Sequence, residues 1–367
     1  MESYIEDKKN LYISILKFLE EHVEYNDDNS RNELFQELFK VHQIEGDVEE
    51  MRQFLEIVKS IGEYHHRDQH FNEQMNLLLL HYKNQIKQTL SNSEIFRIFE
   101  NNKKIVLFLI KKDIITISDE ICKDIIGKIE NNGNRYWHFF IPELENFVGE
   151  EKMKFVKKEL LKEDPSFFNN YEAKREEGEN DSYICSLIRQ DSVEDFISHV
   201  NRYNISPLSE ISTSVFETNP FLIENKNTTM IEYSAFFGSI QIFQYLLMNN
   251  AELTPSLWLY AIHSKNAELI HLLESNKISP PKFMNNNNSY LKCYIESIKC
   301  HHNDFADYIE NNLMIQNEIP PPKSDNNEEE EEEEDDDEEE EDEEIENSNK
   351  NYEQCLIESI KCHHNDI

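Results

Sequence analysis

The chain is 367 residues long, enough for two ordinary domains or one extended solenoid, and its formal net charge is −38. That balance argues against a phosphate backbone or an anionic membrane surface as the main partner, because both require clustered Lys and Arg. Glycine is scarce, at 7 residues, so a nucleotide fold built on phosphate-cradling loops is not expected.

From Glu2 to about Leu161 apolar residues recur at three and four spacing, which predicts helix after helix. Tyr12, Ile15, Leu16 and Leu19 form one stripe, and Phe54, Leu55, Ile57, Val58 and Ile61 another. Ser91 stands three before Glu94 as a capping box, and Ser118 precedes Asp119 and Glu120 in a first turn. Between Ser93 and Ile115 two apolar runs flank Glu100-Asn101-Asn102-Lys103-Lys104, a degenerate helix pair. The longest apolar run, Ile105 to Ile110, is far too short to span a membrane. No signal peptide is read at Met1-Glu2-Ser3-Tyr4, and cytoplasm is the expected location.

The charged segment Lys174 to Asn180 carries Gly178 and reads as a joint. Beyond it, Ile188 to Ile197 opens a helix pair that ends Ile205-Ser206-Pro207, and Ile262 to Pro280 closes on the same Ile-Ser-Pro. Ala261 to Glu274 and Ser297 to Glu310 align without a gap, and Ala235 to Met248 joins them at its apolar positions, giving spacings of 26 and 36 between Ala235, Ala261 and Ser297. Self-similarity on this scale marks a solenoid, whose units bury their apolar faces on one another.

Thr229, Ile231, Ala235, Gly238, Ile242, Phe243, Leu246, Leu247 and Ala251 fall in register with one ankyrin repeat, whereas Met230, Glu232 and Asn250 depart from that pattern. Trp258, Leu259, Tyr260 and Ala261 carry the inner helix of the next unit. To about Leu313 the chain resembles a large family of divergent ankyrin proteins of unknown function from a parasitic flagellate. The resemblance implies a helical N-terminal region followed by ankyrin-type repeats, and no enzyme activity.

Several clusters bear on chemistry. Cys293, Cys300, His301 and His302, copied as Cys355, Cys362, His363 and His364, offer zinc-type donors. Cys300 to His302 nevertheless occupies the turn held by Gly238 to Ile240 in the better unit, so a turn with a semi-buried thiol is the reading preferred, and all six cysteines are read as reduced. His65, His66, Arg67, Asp68 and His70 have no nucleophile or paired carboxylate beside them in sequence and read as a polar helix surface. No catalytic, cofactor-binding or metal-ligating residue is assigned. Tyr233, Phe237, Leu259 and His263 fall at positions that look outward from inner helices, and they are the candidate protein-binding residues; Phe236 is read as core.

Glu328 to Glu344 is an unbroken run of 17 carboxylates behind Pro320-Pro321-Pro322, and its self-repulsion predicts a disordered segment. Cys293 to Asp304 recurs as Cys355 to Asp366 with 11 of 12 residues identical, so a frayed or isolated helix is expected there. The expected fold is all-α: a helical N-terminal region at 1–175, ankyrin-like helical hairpins at 176–318, an acidic disordered segment at 319–351 and a truncated copy at 352–367. The expected function is a non-enzymatic scaffold or adaptor whose partner is another protein, with no nucleic acid and no membrane. The alternative is an acidic-tail binder of basic proteins.

Overall fold

The computed structural model describes residues 10–11, 13–16, 19, 47–64, 69–130, 133–281 and 290–314. The expectations for Met1 to Tyr4, Tyr12, His65 to Asp68, the acidic run and the truncated copy lie outside the described residues. Among the described residues the chain is all-α, and extended backbone pairs only at the isolated bridges Ile129–Arg135 and Glu210–Thr229. The chain divides into two compact units, residues 1–233 and 234–367.

The first unit holds α1 (Val48–Tyr64), α2 (Gln69–His81), α3 (Lys83–Thr89), α4 (Asn92–Phe99), α5 (Lys103–Lys111) and α6 (Asp119–Gly127). A 3-10 turn (Tyr136–Phe140) follows, then α7 (Ile141–Val148), α8 (Glu150–Glu163), α9 (Tyr171–Glu177), α10 (Tyr183–Arg189), α11 (Val193–Tyr203) and α12 (Pro220–Glu224). The expected stripes are the core: Ile15, Leu19, Phe54, Leu55, Val58 and Ile61 are fully buried. Helix starts follow the sequence signals. Ser91 and Glu94 form the reciprocal capping box of α4, and the Ser118 hydroxyl accepts from Ile121 N–H at 3.3 Å. The degenerate pair is α4 and α5, with Asn102 capping the second helix by accepting from Ile105 N–H at 3.0 Å.

Charge is also built into this core. Lys103 and Glu130 pair at 2.7 Å with side chains 1% and 5% exposed, and the Lys103 ammonium donates in addition to the Val215 carbonyl at 2.8 Å. Arg175 is fully buried against Glu143 at 2.6 Å, its guanidinium over the rings of Phe139 and Tyr171. The joint read at Lys174 to Asn180 falls inside the first unit. It is tied down there by Lys174 to Asp181 at 2.8 Å and Arg189 to Glu177 at 2.9 Å.

The unit division falls within α13 (Met230–Phe237), after which come α14 (Ile240–Met248), α15 (Leu257–Ser264), α16 (Ala267–Ser275), α17 (Leu291–Lys299) and α18 (Asn303–Tyr308). Thr229 and Glu232 cap α13 reciprocally: Glu232 N–H donates to the Thr229 hydroxyl at 3.3 Å, and Glu232 carboxylate accepts from Thr229 N–H at 2.8 Å. Every residue of α13 is buried, which is why its sequence shows no single apolar stripe.

One turn recurs in four helix pairs. Asp191, Gly238, Lys265 and His301 stand between the helices of their pairs with φ of 48°, 73°, 55° and 53°. In three of them the following amide reaches back to the same carbonyl: Ser192 to Leu187, Ser239 to Ser234 and His302 to Ser297, at 3.1, 2.9 and 2.9 Å. Second helices end alike. Asn204, Asn250 and Lys277 are left-handed, and the next residue, Ile205, Ala251 or Ile278, donates five residues back. Asp113 closes α5 in the same way, Ile114 N–H reaching Leu109 O at 2.9 Å. The Ile-Ser-Pro endings therefore follow a turn already closed by a left-handed residue.

This recurrence corrects the expected register. Gly238 to Lys265 is 27 positions, whereas pairing Ala235 with Ala261 assumed 26. Ser234, Ala261 and Ser297 are the equivalent residues, so Tyr233 corresponds to Tyr260, and Phe236, not Phe237, corresponds to His263. The apolar spacing tolerates a one-residue slip because these inner helices are buried on nearly all sides; the left-handed turn residue does not.

Candidate functional site

The four residues expected to anchor a partner are packed inside. Tyr233 is fully buried and its phenol oxygen accepts from Arg189 at 3.1 Å. Burial, with Cys185 and Glu217 close by, pushes that phenol far above its ordinary range. Phe237 and Leu259 are 9% and 8% exposed, and the His263 side chain 8%. None of the four presents an exposed anchor, because all of α13 is buried and so are six of the 8 residues of α15, His263 and Ser264 at its end being partly covered. Phe236 is core, as read from the sequence.

His263 is instead the centre of a polar cluster in the second unit. Its Nε2–H donates to Glu296 Oε1 at 2.8 Å, and Cys300 Sγ lies 3.5 Å from Nδ1 and 3.8 Å from Nε2. A sulfur nearly equidistant from both ring nitrogens stands over the ring rather than on a nitrogen lone-pair axis. The Phe236 ring lies 5.2 Å from the imidazole, tilted by 30°. Glu296 and Cys300 are one helical turn apart, which brings both to one side of α17. Burial raises the Glu296 carboxyl, but the hydrogen bond and charge of His263 outweigh it and hold the group below its ordinary value.

The neighbouring donors take other roles. Cys293 is wholly buried and its thiol is pushed well above its usual range by burial. His302 Nδ1 donates to the Ile262 carbonyl at 2.8 Å, and burial lowers its pKa to about 4, so the ring is neutral at pH 7. His301 holds the left-handed turn position, as the turn reading of this segment requires.

In the first unit a second group of buried polar side chains surrounds Glu217. Its carboxylate accepts from Asn219 N–H at 2.9 Å and from Asn180 N–H at 3.2 Å. Burial and the neighbouring Glu179 push its pKa up to about 8, against the pull of the Asn219 amide, Lys103 and Arg189. Cys185, raised to about 11 by burial, belongs to the same region. This group anchors the segment 214–219 to the end of α9.

A surface missed from the sequence lies on α10 and α11. Tyr183 and Tyr203 are 57% and 59% exposed, with the His199 ring between them at 5.0 and 4.7 Å. Arg202 stands over Tyr203 at 5.5 Å. The legible signal was His199 and Tyr203 four apart on the polar side of an amphipathic helix whose buried residues are Phe196 and Val200.

No family model, curated protein or solved structure matches this chain.

Proposed function

We propose that the chain is a non-enzymatic scaffold or adaptor, a solenoid of ankyrin type that binds another protein in the cytoplasm. One observation carries the reading: four helix pairs share one left-handed connecting turn and at least three share one closing turn. Repetition of a single hairpin unit builds a surface longer than any one unit offers, and that is the kind of surface such proteins use for partners. Binding is assigned to the exposed Tyr183 and Tyr203, with the half-buried His199 between them and Arg202 beside, since Tyr and Arg dominate interface energetics. No helix among the described residues is long and apolar enough to cross a membrane.

The alternative keeps its own support, the 17 consecutive carboxylates of Glu328 to Glu344, which would bind basic proteins by charge. Crosslinked capture from native lysate with the full chain, with Tyr183→Ala/Tyr203→Ala and with residues 323–350 deleted separates the two. The scaffold reading expects partners kept after the deletion and depleted at least tenfold by the tyrosine pair. Loss of all partners on deletion, with the tyrosine pair silent, establishes the acidic reading in its place.

A further inference from the structure

We propose that His263, Glu296 and Cys300 form a binding site for a divalent metal of the zinc type, joining α15 to α17. The three offer one ligand atom each, all within 4.8 Å of one another. Imidazole, carboxylate and thiolate are together the donor set that suits zinc, and a set of three leaves the fourth tetrahedral position to water.

The distances are near those a bound ion imposes. Ligands held at 2.0 to 2.3 Å around tetrahedral zinc stand about 3.3 to 3.7 Å apart. His263 Nε2 is 2.8 Å from Glu296 Oε1 and 3.8 Å from Cys300 Sγ, so the first pair opens and the second closes by a fraction of an ångström. Because the sulfur now stands over the imidazole ring, the main adjustment is rotation of the Cys300 side chain towards the ring plane. The helix supports that adjustment: Cys300 is the C-terminal cap residue of α17, one turn beyond Glu296.

Charge and proton inventory also balance. Glu296 already accepts a hydrogen bond from His263 at 2.8 Å and supplies the anionic oxygen donor. On binding, the imidazole proton moves from Nε2 to Nδ1 and the thiol proton leaves to solvent. The ion then carries two anionic ligands and one neutral one, so a 2+ charge is neutralised in a site whose side chains are 8% and 14% exposed at His263 and Glu296. The same bookkeeping makes uptake stronger as pH rises.

The duplicated segment supplies an internal control. Glu358 and Cys362 repeat Glu296 and Cys300, but residues 315–362 contain no histidine to play the part of His263. A site made by the copy would depend on Cys362; the site proposed here does not.

Cobalt(II) is the probe, because thiolate ligation gives it a near-ultraviolet charge-transfer band that zinc lacks. Titration of the full chain is expected to saturate that band at one equivalent. The band is lost in Cys300→Ser and His263→Asn, weakened in Glu296→Gln and unchanged in Cys362→Ser, while far-ultraviolet circular dichroism of each metal-free variant reports its fold. If a variant at the site fails to fold, zinc-edge X-ray absorption of the Cys362→Ser chain decides, with one sulfur at about 2.3 Å supporting the site. Absence of the band at saturating cobalt, its survival in folded Cys300→Ser, its loss in Cys362→Ser, or a zinc shell with no sulfur overturns the proposal.

Discussion

Thr218 donates both its amide and its hydroxyl to the Gly178 carbonyl, at 3.0 and 2.7 Å, across the end of α9. Gly178 sits at φ 72°, and a Cβ there would stand 2.7 Å from the same hydroxyl oxygen. Gly238, at φ 73°, has nothing closer to a Cβ than 3.5 Å. Gly238→Ala therefore costs backbone strain alone, about 1 kcal/mol, whereas Gly178→Ala adds a clash and a displaced hydrogen bond and costs about 2 to 3 kcal/mol. Urea denaturation of both variants measures the difference, and equal losses would disprove this account of Gly178.

Lys265 and Lys277 occupy left-handed turn positions at φ 55° and 53° without the freedom of glycine. Replacing either with Gly relieves that strain and, after the entropy cost of glycine, stabilises by about 0.5 kcal/mol. A rise in melting temperature for each single variant, roughly additive in the pair, is the expected outcome. A fall would mean that the lysine side chains contribute more than the turn costs.

The pH dependence of stability carries the mark of Glu217. Its folded pKa of about 8 lies above the ordinary value of 4.5, so the folded state binds more protons than the unfolded one between them. The sign follows: its contribution is fully present below about pH 4.5 and is lost as pH rises towards 8, with a slope on the order of 1 kcal/mol per pH unit. Glu217→Gln loses one of the two backbone hydrogen bonds, the 3.2 Å contact from Asn180 being the weaker, and so starts less stable in acid. Its stability should then change less between pH 5 and pH 8 than that of the parent chain, as chemical denaturation across that window will show.

Lys103→Met strands Glu130, one of whose carboxylate oxygens already has no hydrogen-bond partner. Breaking a buried pair from one side costs about 3 to 5 kcal/mol. Burial alone already raises the Glu130 carboxyl, with Lys103 pulling the other way. The deficit should shrink as pH falls and the stranded group takes up a proton. Lys103→Met/Glu130→Leu should recover much of the loss at neutral pH, and a double variant no better than the single would mean that the bond to Val215 O matters more.

The helical class, the stripes of the first unit, the Ser91 and Ser118 caps and the turn at Gly238 are all legible in sequence because each depends on residues within one or two turns of one another. Cadence was legible too, down to the Ile205 and Ile278 endings. Register was not, since Asp191, Lys265 and His301 adopt the left-handed turn without the glycine that would announce it. Tertiary packing alone decided what the marked side chains do. It buried Tyr233, Phe237 and Leu259, because an inner helix surrounded by neighbours has no free face, and it left Tyr183 and Tyr203 exposed. It also brought His263 to Glu296 and Cys300, 33 and 37 positions further along the chain. The sequence grouped Cys300 with the histidines beside it; the packing of α17 on α15 chose a histidine from the hairpin before.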